Sequence, residues 1–148
     1  HLNTTVIAAT GAPQQHAVTL ALRGSGQPGC IVCALPFIRA RDAGKPCICC
    51  GLPLSAGEVG GAFDCGHYRS VGSAPHLRYD ERNAHGQRKQ CNRWGSGRAV
   101  DYRLGLIERI GIAAVEALEA DNAPRKWTRD ELIAIKATYK AKLKEMKK

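Results

Sequence analysis

Three short stretches decide how this chain folds: CICC at residues 47–50, DCGH at residues 64–67 and NAHGQRKQCN at residues 83–92. A Cys-x-x-Cys turn such as Cys47 to Cys50 offers two thiolates at the separation that a tetrahedral zinc ion needs. Cys91 is a third candidate ligand, whereas the residue three positions before it is an arginine, which cannot ligate a metal. The pattern therefore predicts a small domain built around a cysteine zinc site.

The sequence leaves the fourth zinc ligand open. Cys65, Cys49 or His85 could supply it, the site could be three-coordinate, or zinc could be absent. A separate zinc ribbon is a further alternative, because thirteen residues separate the Cys30-x-x-Cys33 pair from the pair at residues 47 and 50. Cys65 is the fourth ligand that we test first.

The composition suits one compact domain, or a small domain with extensions. The chain has 148 residues, of which only 5% are aromatic, so its core must rest mainly on aliphatic side chains. Small folds with thin cores often need a metal or a disulfide as a staple. The seven cysteines are odd in number and lie in Cys-x-x-Cys spacing. This favours metal ligation in a reducing compartment and predicts a cytoplasmic protein.

The charge of the chain favours a polyanionic partner. The formal net charge is +9, and residues 125–148 carry nine Lys or Arg against three acidic residues, a net charge of +6. Such a basic balance most simply indicates nucleic acid as the partner. The longest apolar run, residues 31–38, is far below the roughly 20 residues that cross a bilayer. We therefore expect no membrane partner.

Periodicity and turn residues predict an α+β fold. Residues 36–41 are expected to begin a short helix, residues 62–68 a strand, and residues 83–94 a short helix that ends at the following glycines. Apolar residues at helical spacing continue over residues 98–120, where Gly111 is expected to divide them between two helices.

The chain is expected to divide into three regions. Residues 1–36 form a poorly ordered leader, residues 37–97 hold the chemistry, and residues 98–148 form a helical, basic C-terminal region. Thr128 and Glu131 make a Thr-x-x-Glu capping box, which predicts the start of the last helix. That helix carries apolar residues along one face and lysines over much of the rest. The apolar face is expected to pack against the protein, and the lysine face could either be solvated or bind DNA.

His67 is the candidate catalytic base. Hydrolysis of a phosphodiester needs an activated water, and a histidine with a near-neutral pKa is a suitable base. It also needs a hard cation such as Mg²⁺, for which Asp64 and the side-chain oxygen of Asn92 are the expected ligands. Asn83 is expected to bond backbone groups across the loop, to cap a helix, or to do both. Four flanking arginines are candidates for binding DNA phosphates: Arg69, Arg78, Arg93 and Arg98.

These residues resemble the lambdoid phage NinG family, also called Rap. The resemblance covers residues 37–148. The blocks that carry it are residues 38–51, residues 66–78, residues 91–93 with 96–97, and residues 101–111, and it continues through residues 126–144.

The resemblance implies an HNH-like ββα-metal finger with a cysteine zinc staple, followed by C-terminal α-helices. In that arrangement His67 matches the base, Asn83 the middle Asn and Asn92 the final metal-binding position. The family usually has Cys where Arg88 stands and a small residue where Cys65 stands, so the comparison favours Cys65 in the zinc site.

The resemblance further implies the activity of the chain. It indicates a phage or prophage endonuclease that cuts branched recombination intermediates, including Holliday junctions and D-loops, with Mg²⁺ or Mn²⁺ in the bacterial host cell. An enzyme that makes paired cuts is expected to act as a homodimer. The alternative is a zinc-stapled DNA-binding module without catalysis.

Overall fold

A β-hairpin surrounded by helices organises the described residues of this computed structural model, which are residues 34–55 and 63–148. The elements in chain order are α1 (Ala34–Asp42), β1 (Phe63–His67), a 3₁₀ turn (Pro75–Leu77), β2 (Ala84–Arg88), a π-helical turn (Gln90–Trp94), α2 (Ala99–Ile110), α3 (Ile112–Ala120) and α4 (Arg129–Glu145). The mixed helix and strand content confirms the α+β class. Most of the predicted leader, with the Cys30 and Cys33 pair, lies outside the described residues.

The hairpin carries the candidate histidine. Strands β1 and β2 are antiparallel, with Phe63 opposite Arg88 and His67 opposite Ala84. The strand predicted over residues 62–68 is confirmed as β1. Side chains alternate along a strand, so Phe63, Cys65 and His67 leave one face of β1 while Asp64 leaves the other.

Residues 83–94 do not form the predicted helix, because Ala84–Arg88 is strand β2 and only Gln90–Trp94 is helical. The reason lies at Gly86, where close tertiary contacts override the local helical pattern. A Cβ on Gly86 would lie 2.4 Å from Leu54 Cδ1 and 3.0 Å from Asp42 Cβ. Its N–H donates to Asp42 Oδ2 at 2.8 Å, so the chain is held extended here against the end of α1.

Three apolar clusters join the elements. The largest packs α2 and α3 against the knuckle turn and the loop after β1: Ile48, Ala74, Leu77, Tyr102, Leu106, Val115 and Leu118. The second packs α1 and α4 against the hairpin: Phe37, Ile38, Cys65, Ala84 and Tyr139. The third surrounds the cysteine pair: Cys47, Leu54, Phe63 and Cys91. The hairpin therefore contributes Cys65 and Ala84 to the second cluster and Phe63 to the third.

The helices over residues 98–120 are confirmed, and they divide at Gly111, whose φ of +85° ends α2. The buried face of α2 differs from the apolar positions that indicated the helix. Val100 and Leu104 are 76% and 57% exposed, whereas Tyr102 is buried and its hydroxyl donates to Gly66 O at 2.8 Å. This bond and the close approach of the helix to the knuckle turn fix its rotation.

The last helix begins where the capping box predicted. The Glu131 N–H donates to Thr128 Oγ1, and the Thr128 N–H donates to a Glu131 carboxylate oxygen. Tyr139 is buried against the second cluster and donates from its hydroxyl to Tyr79 O at 2.7 Å, whereas Met146 at the end of the apolar stripe is exposed. Within residues 34–55 and 63–148, no helix combines the length and the apolar character of a bilayer span.

Gly105→Ala tests the contact between α2 and the knuckle turn. Alanine usually stabilises a helix by about 1 kcal/mol relative to glycine. Here a Cβ would lie 1.9 Å from the backbone oxygen of Ile48, so we expect a net loss of about 1–3 kcal/mol in the free energy of unfolding, measured with urea. Gly72→Ala is the control, because its Cβ would meet nothing within 4 Å. A Gly105→Ala variant as stable as the parent would contradict the close packing of α2.

Candidate functional site

Three cysteines come together beside the hairpin. The Sγ atoms of Cys47, Cys50 and Cys91 all lie within 4.8 Å of one another. The turn forms because the Cys47 N–H donates to Leu52 O and the Gly51 N–H donates to Cys47 O, with Gly51 at a φ of +72°. Tetrahedral zinc at about 2.3 Å from each sulfur separates thiolates by about 3.8 Å. The donors therefore suit three of the four positions around a zinc ion.

The hydrogen bonds of this group favour a thiolate at Cys47. A bond from the Cys49 thiol lowers the pKa of Cys47 to about 4, against the opposing effect of burial, and backbone N–H groups act in the same direction. One of them is the Arg88 N–H, 3.3 Å from Cys47 Sγ. Burial instead raises the pKa of Cys91 to about 11. Cys47 is therefore ready to ligate, whereas Cys91 would ionise on metal binding.

The structure does not support Cys65 as the fourth ligand. Cys65 packs among Phe37, Ile38 and Tyr139 in the second apolar cluster, on the α1 side of the hairpin, and stands outside the cysteine group. The reason is its place along β1: Phe63, on the same face of the strand, packs against Cys47 and Cys91, whereas Cys65 lies two residues farther along, against α1.

The other two alternatives for the fourth ligand also lie outside the group. Cys49 Sγ accepts a hydrogen bond from Gln87 Nε2 at 2.9 Å. His85 belongs to a separate network of charged residues. Among the described residues, three cysteines are therefore the candidate metal ligands at this site.

His67 is held in one tautomer by the loop that follows β1. Its Nε2 lies 3.0 Å from Arg78 O, and a carbonyl can only accept, so Nε2 carries the hydrogen and Nδ1 is left as the proton acceptor. Burial lowers the pKa of His67 below its ordinary value, and the charge of Arg78 acts in the same direction. The ring is therefore neutral at pH 7.

Asn83 ties the two ends of that loop together. It is fully buried, its Nδ2 donates to Arg69 O at 3.0 Å and Leu77 O at 3.2 Å, and its Oδ1 accepts from the Arg69 N–H at 2.8 Å. Of the two roles expected for Asn83, these contacts are those of a backbone bridge, since strand β2 and not a helix follows it. Leu77 immediately precedes Arg78, so the bridge also positions the carbonyl that holds His67.

Asp64 and Asn92 form a second group. Asn92 Nδ2 donates to Asp64 Oδ2 at 3.1 Å, and Arg93 donates to both carboxylate oxygens at 2.9 and 3.1 Å. One carboxylate and one amide oxygen are suitable donors for a hard cation that keeps several waters. Arg93 competes with a cation for Asp64. Because Asp64 and His67 leave opposite faces of β1, the structure brings Asp64 to Asn92 but not to His67.

The four candidate arginines are all engaged. Arg69 is not available for phosphate, because its guanidinium donates to Leu118 O at 3.1 Å and to Asn122 Oδ1 at 2.8 Å beside the end of α3. Arg78 lies over the Tyr79 ring at 5.4 Å. Arg93 and Arg98 form exposed ion pairs, with Asp64 and Asp101 respectively. Exposed pairs contribute little stability, so these two arginines could exchange to a phosphate.

The sequence did not reveal a buried charged network around Asp42. Arg41 donates twice to this fully buried carboxylate at 2.8 Å, and Lys45 and Arg109 lie within 3.4 and 3.6 Å of it. Burial alone would raise the pKa of Asp42, but the Arg41 and Gly86 hydrogen bonds lower it to about 2. The only signal in the sequence was an acidic residue that directly follows Arg41 and precedes Lys45 by three positions.

His85 belongs to the same network as a neutral ring. Its Nδ1 accepts from Arg41 Nη2 at 3.1 Å and its Nε2 donates to Arg82 O at 3.1 Å. Burial, together with the charges of Arg41 and Arg109, lowers the pKa of His85 to about 4.

Cys91→Ser tests the metal centre. We expect the purified parent protein to contain about one zinc per chain, and the Cys91→Ser variant to lose most of it, because two cysteines remain. Cys65→Ala is the matched control and should keep its zinc. Metal analysis of both variants after dialysis measures the difference. If Cys65→Ala loses its zinc and Cys91→Ser keeps it, Cys65 is a ligand and the assignment of Cys91 is wrong.

His85→Gln tests the neutral histidine. The unfolded chain binds a proton at His85 near pH 6.5 and the folded chain only near pH 4. The stability due to this shift is complete above pH 6.5 and is lost as the pH falls toward 4, a loss of roughly 3 kcal/mol. We expect the stability of His85→Gln, measured by urea unfolding at several pH values, to fall less steeply over this window. If the stability of the two proteins changes with pH in the same way, the pKa of His85 is not lowered by folding.

Comparison with known proteins identifies the family. Residues 31–148 match the NinG family, described as Bacteriophage Lambda NinG protein. Protein ninG of Salmonella phage P22 is 51% identical over 111 residues, which are 75% of this chain and 52% of that protein. Protein ninG of Escherichia phage 933W is 48% identical, over 75% of this chain and 53% of that protein.

Protein ninG of Escherichia phage lambda is 47% identical over 75% of this chain and 52% of its own length. The chain thus spans about half the length of the curated relatives it matches. No solved structure shows significant similarity to it. The extent and identity of these matches show that the chain belongs to the NinG family of phage proteins.

Proposed function

We propose that this chain is a metal-dependent endonuclease that hydrolyses phosphodiesters in branched DNA. The observation that carries the proposal is the state of His67, a neutral ring whose Nε2 is fixed on Arg78 O, so that Nδ1 can take a proton. A general base must be unprotonated at the working pH and correctly oriented, and His67 meets both conditions.

In the proposed reaction, His67 Nδ1 accepts a proton from the attacking water, and the Arg78 carbonyl stabilises the ring as it becomes charged. Asn83 acts as a positioning residue, because it ties Arg69 to Leu77 and so holds the loop that carries this carbonyl. The neutral state of His67 at pH 7 keeps the base available.

Asp64 and Asn92 are the proposed ligands of Mg²⁺ or Mn²⁺, which would stabilise negative charge on the phosphate and the departing oxygen. Arg93, now paired with Asp64, would bind a phosphate oxygen when the cation takes its place. Because Asp64 and His67 leave opposite faces of β1, the proposal requires this part of β1 to rearrange on DNA binding so that both groups reach one phosphodiester.

The order of elements supports an HNH-like ββα-metal arrangement. A histidine ends the first strand, Asn83 lies before the second strand, and Asn92 lies in the helical turn that follows it. The net charge of +9 supports a DNA substrate. The preference for Holliday junctions and D-loops, and the homodimer, rest on the resemblance to the family alone.

A DNA-binding module without catalysis is the second candidate. The observation that favours it is the Asp64 carboxylate, both of whose oxygens already accept from Arg93. In that function the cysteine site would stabilise the fold, and the hairpin and basic helices would hold DNA without cutting it.

His67→Ala tests the proposed base. Cutting of a synthetic four-way junction in Mg²⁺ should fall by about 10²- to 10⁴-fold, the usual contribution of a general base. Gly72→Ala, which changes the same loop at a position where the added Cβ meets nothing within 4 Å, should keep most of the activity. Equal cutting by the parent and His67→Ala would exclude His67 as the base, and junction binding by the parent without cutting would favour the second candidate.

A further inference from the structure

The two tryptophans of this chain have opposite surroundings. Trp127 is packed: its Nε1 donates to Pro75 O at 2.8 Å, its ring meets Tyr79 edge to face, and Arg125 lies over it at 4.4 Å. Trp94 is 74% exposed, and within the described residues no hydrogen bond or ring contact involves its side chain. A large aromatic ring left in water is informative, since folding normally buries it.

The backbone that presents Trp94 is rigidly held. Trp94 ends the π-helical turn, and the next residues include Ser96 at φ +51° and Arg98 at φ +48°, which are left-handed conformations that cost non-glycine residues about 1–2 kcal/mol each. Gln87 Nε2 donates to Gly97 O at 2.8 Å and ties this segment to the hairpin. Strain of this kind persists where the surrounding structure fixes it, and it often marks a functional site.

The neighbours of Trp94 indicate which partner its ring would meet. Arg93 and Arg98 are both exposed on the same short segment, and Asn92, two residues away, bonds Asp64. An aromatic ring with flanking cations matches single-stranded nucleic acid, whose bases offer flat faces and whose phosphates are negative. Residues 95–98, which follow Trp94 in the chain, are glycine, serine and arginine, whereas the exposed apolar residues Val100 and Leu104 belong to α2.

We propose that Trp94 stacks on an unpaired base where duplex DNA opens into single strands, and so directs the chain to branch points. This inference rests on the proposed function, because it needs DNA at the Asp64 and Asn92 group. Trp94 would act on recognition alone and takes no part in the chemistry.

The test compares binding to a Y-shaped DNA fork with two unpaired arms and to a linear duplex of the same length, without divalent metal. Trp94→Ala should weaken fork binding about tenfold, the effect of losing one stacked base, and change duplex binding by less than twofold. Trp94→Phe should recover most of the fork affinity. Val100→Ala is the matched control, since it removes a similarly exposed apolar side chain nearby and should bind the fork like the parent.

The outcomes separate the inference from the proposed function. If the parent binds neither DNA, both fail. If the parent binds both DNAs and Trp94→Ala binds the fork as tightly, or loses fork and duplex affinity equally, only the inference fails. The remaining measurement is sedimentation of the same proteins without DNA. If the parent is a dimer and Trp94→Ala is a monomer, the Trp94 ring contacts a second copy of the chain, and the inference is overturned.

Discussion

The buried carboxylate of Asp42 is the interaction on which the arrangement of the elements depends. It lies at the end of α1, accepts the Gly86 N–H of β2, and is approached by Arg109 of α2. An unpaired buried charge is very costly. The packing of these three elements therefore depends on Arg41 of α1, the Gly86 N–H of β2 and Arg109 of α2, which surround the carboxylate. The same contact keeps β2 extended, and the extended β2 places Cys91 beside the cysteine turn and Asn92 beside Asp64.

The sequence predicted those parts of the fold that depend on local signals. The capping box at Thr128, the break at Gly111 and strand β1 are set by residues close to one another in the chain. Residues 83–94 were assigned wrongly because the contacts that hold Gly86 extended come from Leu54 and Asp42, more than 30 residues earlier. The rotation of α2 was hidden for the same reason, since it depends on Gly66 O and on Ile48 O of the knuckle turn, both more than 30 residues earlier in the chain.

The candidate site shows the same division. Spacing was enough to indicate Cys47, Cys50 and Cys91 as a group, but only the first two are joined by a local turn, and Cys91 reaches them through the extended β2. It was not enough to place Cys65, which shares a face of β1 with Phe63 but lies two residues farther from the cysteine turn and packs against α1. Arg69 was predicted to bind phosphate because it lies near His67 in the chain, but its guanidinium donates to Leu118 O at the end of α3. Charge alone does not reveal whether an arginine faces solvent or a helix terminus.

The loop between β1 and β2 is clamped from outside the hairpin. Arg69 and His76 bond residues at and just beyond the end of α3, and Trp127 donates to Pro75 O. The region after residue 97 is therefore not a detachable module, since it holds the loop whose carbonyl fixes the tautomer of His67. A truncation or a proteolytic cut near residue 121 would leave the histidine, the cysteines and the hairpin intact in sequence, and would still remove support from the loop that carries the Arg78 carbonyl.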